Sequence, residues 1–341
     1  MKGVYIVVPV WGERYVQRWL RYGLASLLAD GNLPVLAKVA PTKLLLCSTQ
    51  EDLSVLLASP LLKAVRDLCG LRVVTLAQNA AELRGHKYNL MSVCHNLGLK
   101  QAWADDYGVI FGLADVLAAN GSWGTVSRHI AAGRRAVLTQ GLTVREELLD
   151  PLLAAHATRT ETSLSVAPRN LVRIALEALH PLSMSQVWGA PYFTVHPSIM
   201  FWPLKGHGFL MRSWHLMPLF LHPDRQAQIT TTADGDLLGS ALSNPDDCAC
   251  ITDSDDGCFF DVAYPEKLDF IPAHPSTADP TRIAKWLETN TRPFNRDMIR
   301  HKFWFHDGID PNDWRAVEEE SDRAIEEVMR CYEQGTRVPV T

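Results

Sequence analysis

Residues 3–10 read GVYIVVPV, and the fold of the first half of the chain is decided there. Every position is apolar and most are β-branched, without the in–out alternation of a strand that faces water on one side. Such a run predicts a strand buried on both faces in a parallel sheet. Downstream, Tyr15, Val16, Trp19, Leu20, Leu27 and Leu28 recur at helical spacing until Asp30-Gly31-Asn32 stops them.

The alternation continues outward. KLLLC (43–47), RVVTL (72–76), YGVIFGL (107–113) and AVLT (136–139) read as further strands. One helix is expected to open at Thr49, an N-cap with Asp52 as its acidic partner, and to run to about residue 67. Others are expected over 87–103 and 122–133. Strands separated by helices of this length pair in parallel. Residues 1–143 are therefore expected to form a Rossmann-like, mostly parallel half, and 144–341 a mixed α+β half.

In the second half, helices are expected over 145–155 and 169–179. The stretch 188–223 is dense in Pro, His and Trp and reads as short strands and loops packed beneath a site. Within it, His207, Phe209, Met211 and Ser213 alternate as one face of a strand. CACITDSDDGCFFDV (248–262) reads as a β-hairpin turning at 254–257. An amphipathic helix closes the chain over 314–332, with Asp310 as N-cap and Pro311 as its first residue.

The bulk properties narrow the function classes. The chain has 341 residues, enough for one large domain or two coupled ones. A net charge of −5 argues against general affinity for nucleic acid. No apolar run approaches the ~18 residues of a membrane span. Seven cysteines, an odd number, and no secretory signal lead us to expect a cytoplasmic protein.

In an open α/β sheet, ligands bind outside the carboxyl ends of the strands. The polar residues gathered there are Pro9, Trp11 and Glu13 after the first strand, Ser48 and Thr49 after the second, and Asp115 after the fourth. No GxGxxG turn follows the first strand, which argues against an ordinary dinucleotide dehydrogenase, and no GxxxxGK[ST] occurs.

The opening VYIVVPVWGERYVQRWLRYGLASL, together with GVIFGLADVLAANGSW (108–123), resembles GT-A type glycosyltransferases. The resemblance covers roughly residues 1–140. In that family a strand ending in a Pro-containing turn begins the nucleotide-sugar site, and a later strand ends in an acidic motif, commonly Asp-x-Asp. Here that motif reads Leu113-Ala114-Asp115, with only the last carboxylate present.

The resemblance implies a GT-A fold in which Pro9, Trp11, Glu13, Ser48, Thr49, Lys87 and Asp115 frame a nucleotide-sugar donor. Asp115 would face the diphosphate and an Mg²⁺ or Mn²⁺ ion. The missing first Asp weakens that metal site, and Arg84, His86 and Lys87 are cations that would substitute for it. A late His completes the metal site in some relatives, which points to His301 or His306. An acidic residue of the second half serves as base, which points to Asp236, with Asp234 close behind. His207, His215, Trp188 and Trp214 would line the groove for a glycan or glycoconjugate acceptor.

Plainer readings stand beside these. Asp-Gly at 234–235 suits an Asx turn and helix cap. Asp253-Ser254-Asp255 reads as turn geometry, and buried Trp as core. Cys248-x-Cys250 lacks the spacing of a zinc site. Two other functions fit the same sequence: a GT-A-like binding or assembly module without catalysis, and a nucleotidyltransferase, although the latter needs a basic Gly-rich turn that Val10-Trp11-Gly12-Glu13-Arg14 does not supply.

Overall fold

The computed structural model describes residues 1–77, 87–308 and 311–336. It is an α/β structure built on a seven-stranded, mostly parallel sheet. In chain order the strands are β1 (Gly3–Pro9), β2 (Thr42–Thr49), β3 (Gly70–Leu76), β4 (Tyr107–Phe111), β5 (Val116–Ala118), β6 (Ala136–Thr139), β7 (Leu142–Arg145), β8 (Ala157–Arg159), β9 (Leu164–Val166), β10 (Ile199–Leu204), β11 (Gly208–Ser213), β12 (Met217–Leu221), β13 (Cys248–Cys250), β14 (Phe259–Ala263) and β15 (Phe303–His306). The main sheet runs β13-β6-β12-β4-β1-β2-β3.

β1 is buried at every position, as its sequence requires. Tyr5 and Val7 enter one apolar core, while Val4, Ile6 and Val8 enter the other. The strand is therefore the partition between two helical layers. The helix Lys87–Asp105 covers the first face through Leu90, Cys94, Leu99 and Ala102. The second face is covered by helices carrying Val16, Trp19, Leu36, Leu53 and Val65.

β1 pairs in parallel with β2 on one side and β4 on the other. The chain thus moves outward to β3 and then returns across β1 to β4, which makes the β1–β4 junction the switch point of the sheet. Beyond β4 the order is not sequential. β12 is inserted antiparallel between β4 and β6, and β13 adds in parallel to β6. Two of the seven strands thus come from residues beyond 143, so the sheet does not end where the parallel pattern of the sequence ends.

Three local expectations are corrected. The helix after β1 is not continuous: α-helix over Glu13–Arg18 passes into a π-helical turn over Trp19–Leu24 before Ala25–Leu27. Gly23 lies in that turn, where an added Cβ would stand 3.1 Å from the Val116 carbonyl oxygen. The wider turn and bare Cα let the helix approach the backbone that carries Asp115. Second, Pro60 begins a new helix, Pro60–Leu68, because Ser59 before it is held extended. Third, residues 248–262 are not a hairpin. β13 joins β6, whereas β14 lies in a separate sheet, antiparallel to β5 and parallel to β7. The tight turn at 253–257 is present, but it joins two sheets.

A second layered unit is built around β10, β11 and β15. β10, β11 and β15 make an antiparallel sheet whose Met200, Trp202, Leu204 and Leu210 pack against Ile283 and Leu287 of the helix Pro280–Asn290 and Ile325 and Val328 of the helix Pro311–Thr336. Pro311 is the first residue of that helix, while Asp310, its expected cap, lies outside the described residues. Among the described residues no helix is long and apolar enough to cross a membrane. All seven cysteines are free thiols.

Candidate functional site

A cavity of about 250 Å³ opens at the switch point. The turn after β1 contributes Pro9, Val10, Trp11 and Tyr15, and the turn after β4 contributes Leu113, Ala114 and Asp115. The helix Lys87–Asp105 adds Tyr88 and Met91 from its first turns. Asp261 of β14 and Lys267 close the wall opposite.

The two carboxylates meet through strand pairing. Asp261 stands opposite Val116 in the β14–β5 ladder, and the Val262 N–H donates to the Asp115 carbonyl at 2.7 Å. Phe260 and Val262 on either side of Asp261 enter the core, so the period of two turns Asp261 toward the cavity. Burial, then the neighbouring Asp115 carboxylate, raises the Asp261 pKa to about 7, against the opposing pull of Lys267. For Lys267, burial alone would lower the pKa, but Asp115 and then Asp261 outweigh it and hold the ammonium above its ordinary value. The wall therefore combines a carboxyl poised near neutrality with a fixed positive charge, inside apolar and aromatic surroundings.

Behind this wall, Arg18 is 1% exposed and forms a two-pronged pair with Glu146. Its guanidinium lies 5.2 Å from the Tyr15 ring centroid. Burial opposes its charge, but the Glu146 hydrogen bond and charge, then Asp115, keep the pKa raised.

The residues expected at the site divide clearly. Pro9, Trp11 and Asp115 line the cavity. Glu13 begins the first helix in solvent, outside the lining. Ser48 is buried at the end of β2 with its Oγ unpartnered, also outside the lining. Thr49 caps the helix Gln50–Ala58 and donates to Asp52 Oδ2 at 2.7 Å. The same oxygen accepts from Gly12 N–H at 2.8 Å, so Thr49 and Asp52 brace the β1 turn from behind. Lys87 opens its helix, but its side chain lies outside the described residues, as do Arg84 and His86.

Asp236 accepts from Thr230 Oγ1 at 3.1 Å and stands at the cap position of the helix Leu237–Ala241, not on the cavity wall. Asp234 is nearer in effect: its charge acts on Asp261 and on both His196 and His215. Trp188 stacks on Trp202 at 5.5 Å, and Trp214 is fully buried, so both belong to the second core. His207 is 63% exposed and pairs with Asp307. His215 is half-buried against Trp286.

The expected metal set of Asp115, His301 and His306 is not brought together. Among the described residues the one group with metal-ligand geometry is Asp253, Asp255 and His306, with ligand atoms within 4.8 Å of one another. His306 Nε2 lies 3.0 Å from Asp253 Oδ1. The donor types suit a divalent ion, but Arg169 already grips Asp255 through two nitrogens. Asp255 N–H also donates to Asp253 Oδ1, the Asx geometry expected of a turn. His301 stands apart, half-buried, with its pKa lowered by burial and by Arg300.

Asp261 and Lys267 were not legible as site residues. The available signal was one carboxylate inside the apolar strand FFDVA. Placing it required knowing that β14 pairs with β5. Comparison with known proteins adds no family: no protein-family model matches the chain, and no curated protein matches it in sequence.

Proposed function

We propose that the chain is a GT-A-like glycosyltransferase acting at the switch-point cavity. The observation that carries this reading is the pairing of Asp115 and Asp261 beside Lys267, at the carboxyl ends of β1 and β4. Trp11, Tyr15 and Tyr88 supply flat apolar surface suited to a nucleoside. Lys267 supplies the positive charge that a diphosphate leaving group requires. Asp261, poised near neutrality, takes the proton of an acceptor hydroxyl. This role passes to Asp261 from Asp236, which is engaged by Thr230 away from the cavity. A divalent ion held by Asp115 and the diphosphate would add to the charge that Lys267 supplies.

Thermal shift against nucleoside diphosphates and nucleotide sugars, with and without Mn²⁺, tests the reading. A ligand at about 100 times its Kd should add about 2.7 kcal/mol of stability. We expect one diphosphate class to raise Tm, Lys267→Met to abolish that rise, and Asp261→Asn to retain binding while losing turnover. Absence of any shift at millimolar ligand would favour a protein without donor chemistry.

A further inference from the structure

Beyond the cavity, the segment that carries Lys267 continues to a residue in an unfavourable backbone conformation. Phe270 has φ 67°, a left-handed value that costs a bulky side chain free energy. The residue is nevertheless 51% exposed, so core packing does not account for it. The conformation is held from behind: Thr194 Oγ1 and Val195 N–H both donate to the Phe270 carbonyl, at 3.1 and 3.0 Å. The ring lies against His196 at 4.7 Å, tilted by 33°. His196 meets Trp286 edge-on at 4.8 Å, and His215 meets the same indole at 5.8 Å. His196, His215 and Trp286 are each half-buried. The result is a partly exposed wall of four rings.

We propose that this wall is the acceptor subsite, and that it binds an uncharged pyranose by stacking the sugar on Phe270 and Trp286 while His196 and His215 hydrogen-bond its hydroxyls. Burial, and for His196 also the proximity of His215, holds both imidazoles below their usual range. The His215 ring is hydrogen-bonded to the Asn290 backbone and the His196 ring to its own backbone, which leaves one nitrogen of each for a sugar hydroxyl. Phe270 follows Lys267 of the cavity wall by three residues, and the charge of Asp234 acts on both histidines and on Asp261. The charge of Asp234, which acts on both histidines, disfavours an acidic sugar at the wall and leaves neutral sugars as the ligand class. The inference deepens the transferase reading and rests on it for the direction of transfer, although sugar binding itself is measurable without it.

The test is saturation-transfer NMR on the full chain with the methyl glycosides of glucose, galactose, mannose and N-acetylglucosamine, and with glucuronic acid as the acidic control. Phe270→Gly is the decisive variant, because glycine removes the ring and relieves the left-handed strain together. We expect at least one neutral glycoside to bind wild type, about tenfold weaker binding to Phe270→Gly, equivalent to ~1.4 kcal/mol, and an unchanged or higher Tm. Asp234→Asn should improve the binding of glucuronic acid. Equal binding by wild type and Phe270→Gly overturns the proposal, as does saturation by none of the neutral glycosides. A nucleotide-diphosphate shift measured on both proteins keeps the two ideas separate. Its absence from both, with sugar binding intact, would sink the transferase reading and leave the subsite standing.

Discussion

At the scale of single residues, the informative group is Asp261. Its folded pKa near 7 stands above the ordinary carboxyl value of 3.8, so the folded state keeps a proton that the unfolded state releases between about pH 4 and 7. Its contribution to stability is complete at low pH and lost as pH rises through the folded value. Asp261→Asn cannot titrate. The Tm difference between variant and wild type should therefore grow in the variant's favour from about pH 4.5 to about pH 8, measured by calorimetry at several pH values. A difference independent of pH would mean that Asp261 is not held protonated. Asp115 shares the same pocket of charge, so the midpoint observed belongs to the pair. The sequence singled out Asp115 because it ends a strand. It gave no such cue for Asp261, because a carboxylate within an apolar strand acquires meaning only from its ladder partner.

Among the elements, the helix Lys87–Asp105 matters most to the site, since Tyr88 and Met91 project from it into the cavity. Its distance from the sheet is set by Gly98. A Cβ there would lie 2.1 Å from Val7 Cγ2 on the central strand. Gly98→Ala should force the helix outward and destabilise the protein by about 1–3 kcal/mol, the usual cost of overpacking. Chemical denaturation measures the first effect. Weakened nucleotide shifts in the folded fraction would reveal displacement of Tyr88 and Met91. Helix positions in this half were readable from apolar spacing and from the Thr49 cap. The π-helical turn at Trp19–Leu24 was not, because it answers to the β4–β5 backbone packed against Gly23 and not to local preference. The supposed hairpin at 248–262 failed for a related reason: turn residues specify a reversal, but not which strands pair after it.

Across the whole molecule, the order of the sheet ties the two sequence halves together. β12 separates β4 from β6 and hydrogen-bonds to both, so without residues 217–221 β4 keeps only β1 as a neighbour and β6 loses its link to the sheet. A fragment ending at residue 143 should therefore lack cooperative unfolding and expose the outer edge of β4 and a stranded β6, both prone to association. Thermal unfolding and light scattering of that fragment, compared with the full chain, provide the check. A monomeric fragment with a sharp transition would show that β4 and β6 find another arrangement. The cavity has the same dependence, since its fourth wall, Asp261 and Lys267, comes from the second half.

What the sequence determined by itself were features with short physical range. The unbroken apolar run at 3–10 requires burial on both faces, helical spacing marks the covering layers, and the strand ends locate Pro9, Trp11 and Asp115 at a ligand-binding edge. Tertiary structure decided what depends on pairing across long separations. It inserted β12 antiparallel into the sheet, buried Trp214 in the second core with Trp188 packed against it, turned Thr49 into a brace, and drew Asp261 beside Asp115. Periodicity records which face of an element is buried. It carries no record of the partner strand, and at this site the partner strand sets the chemistry.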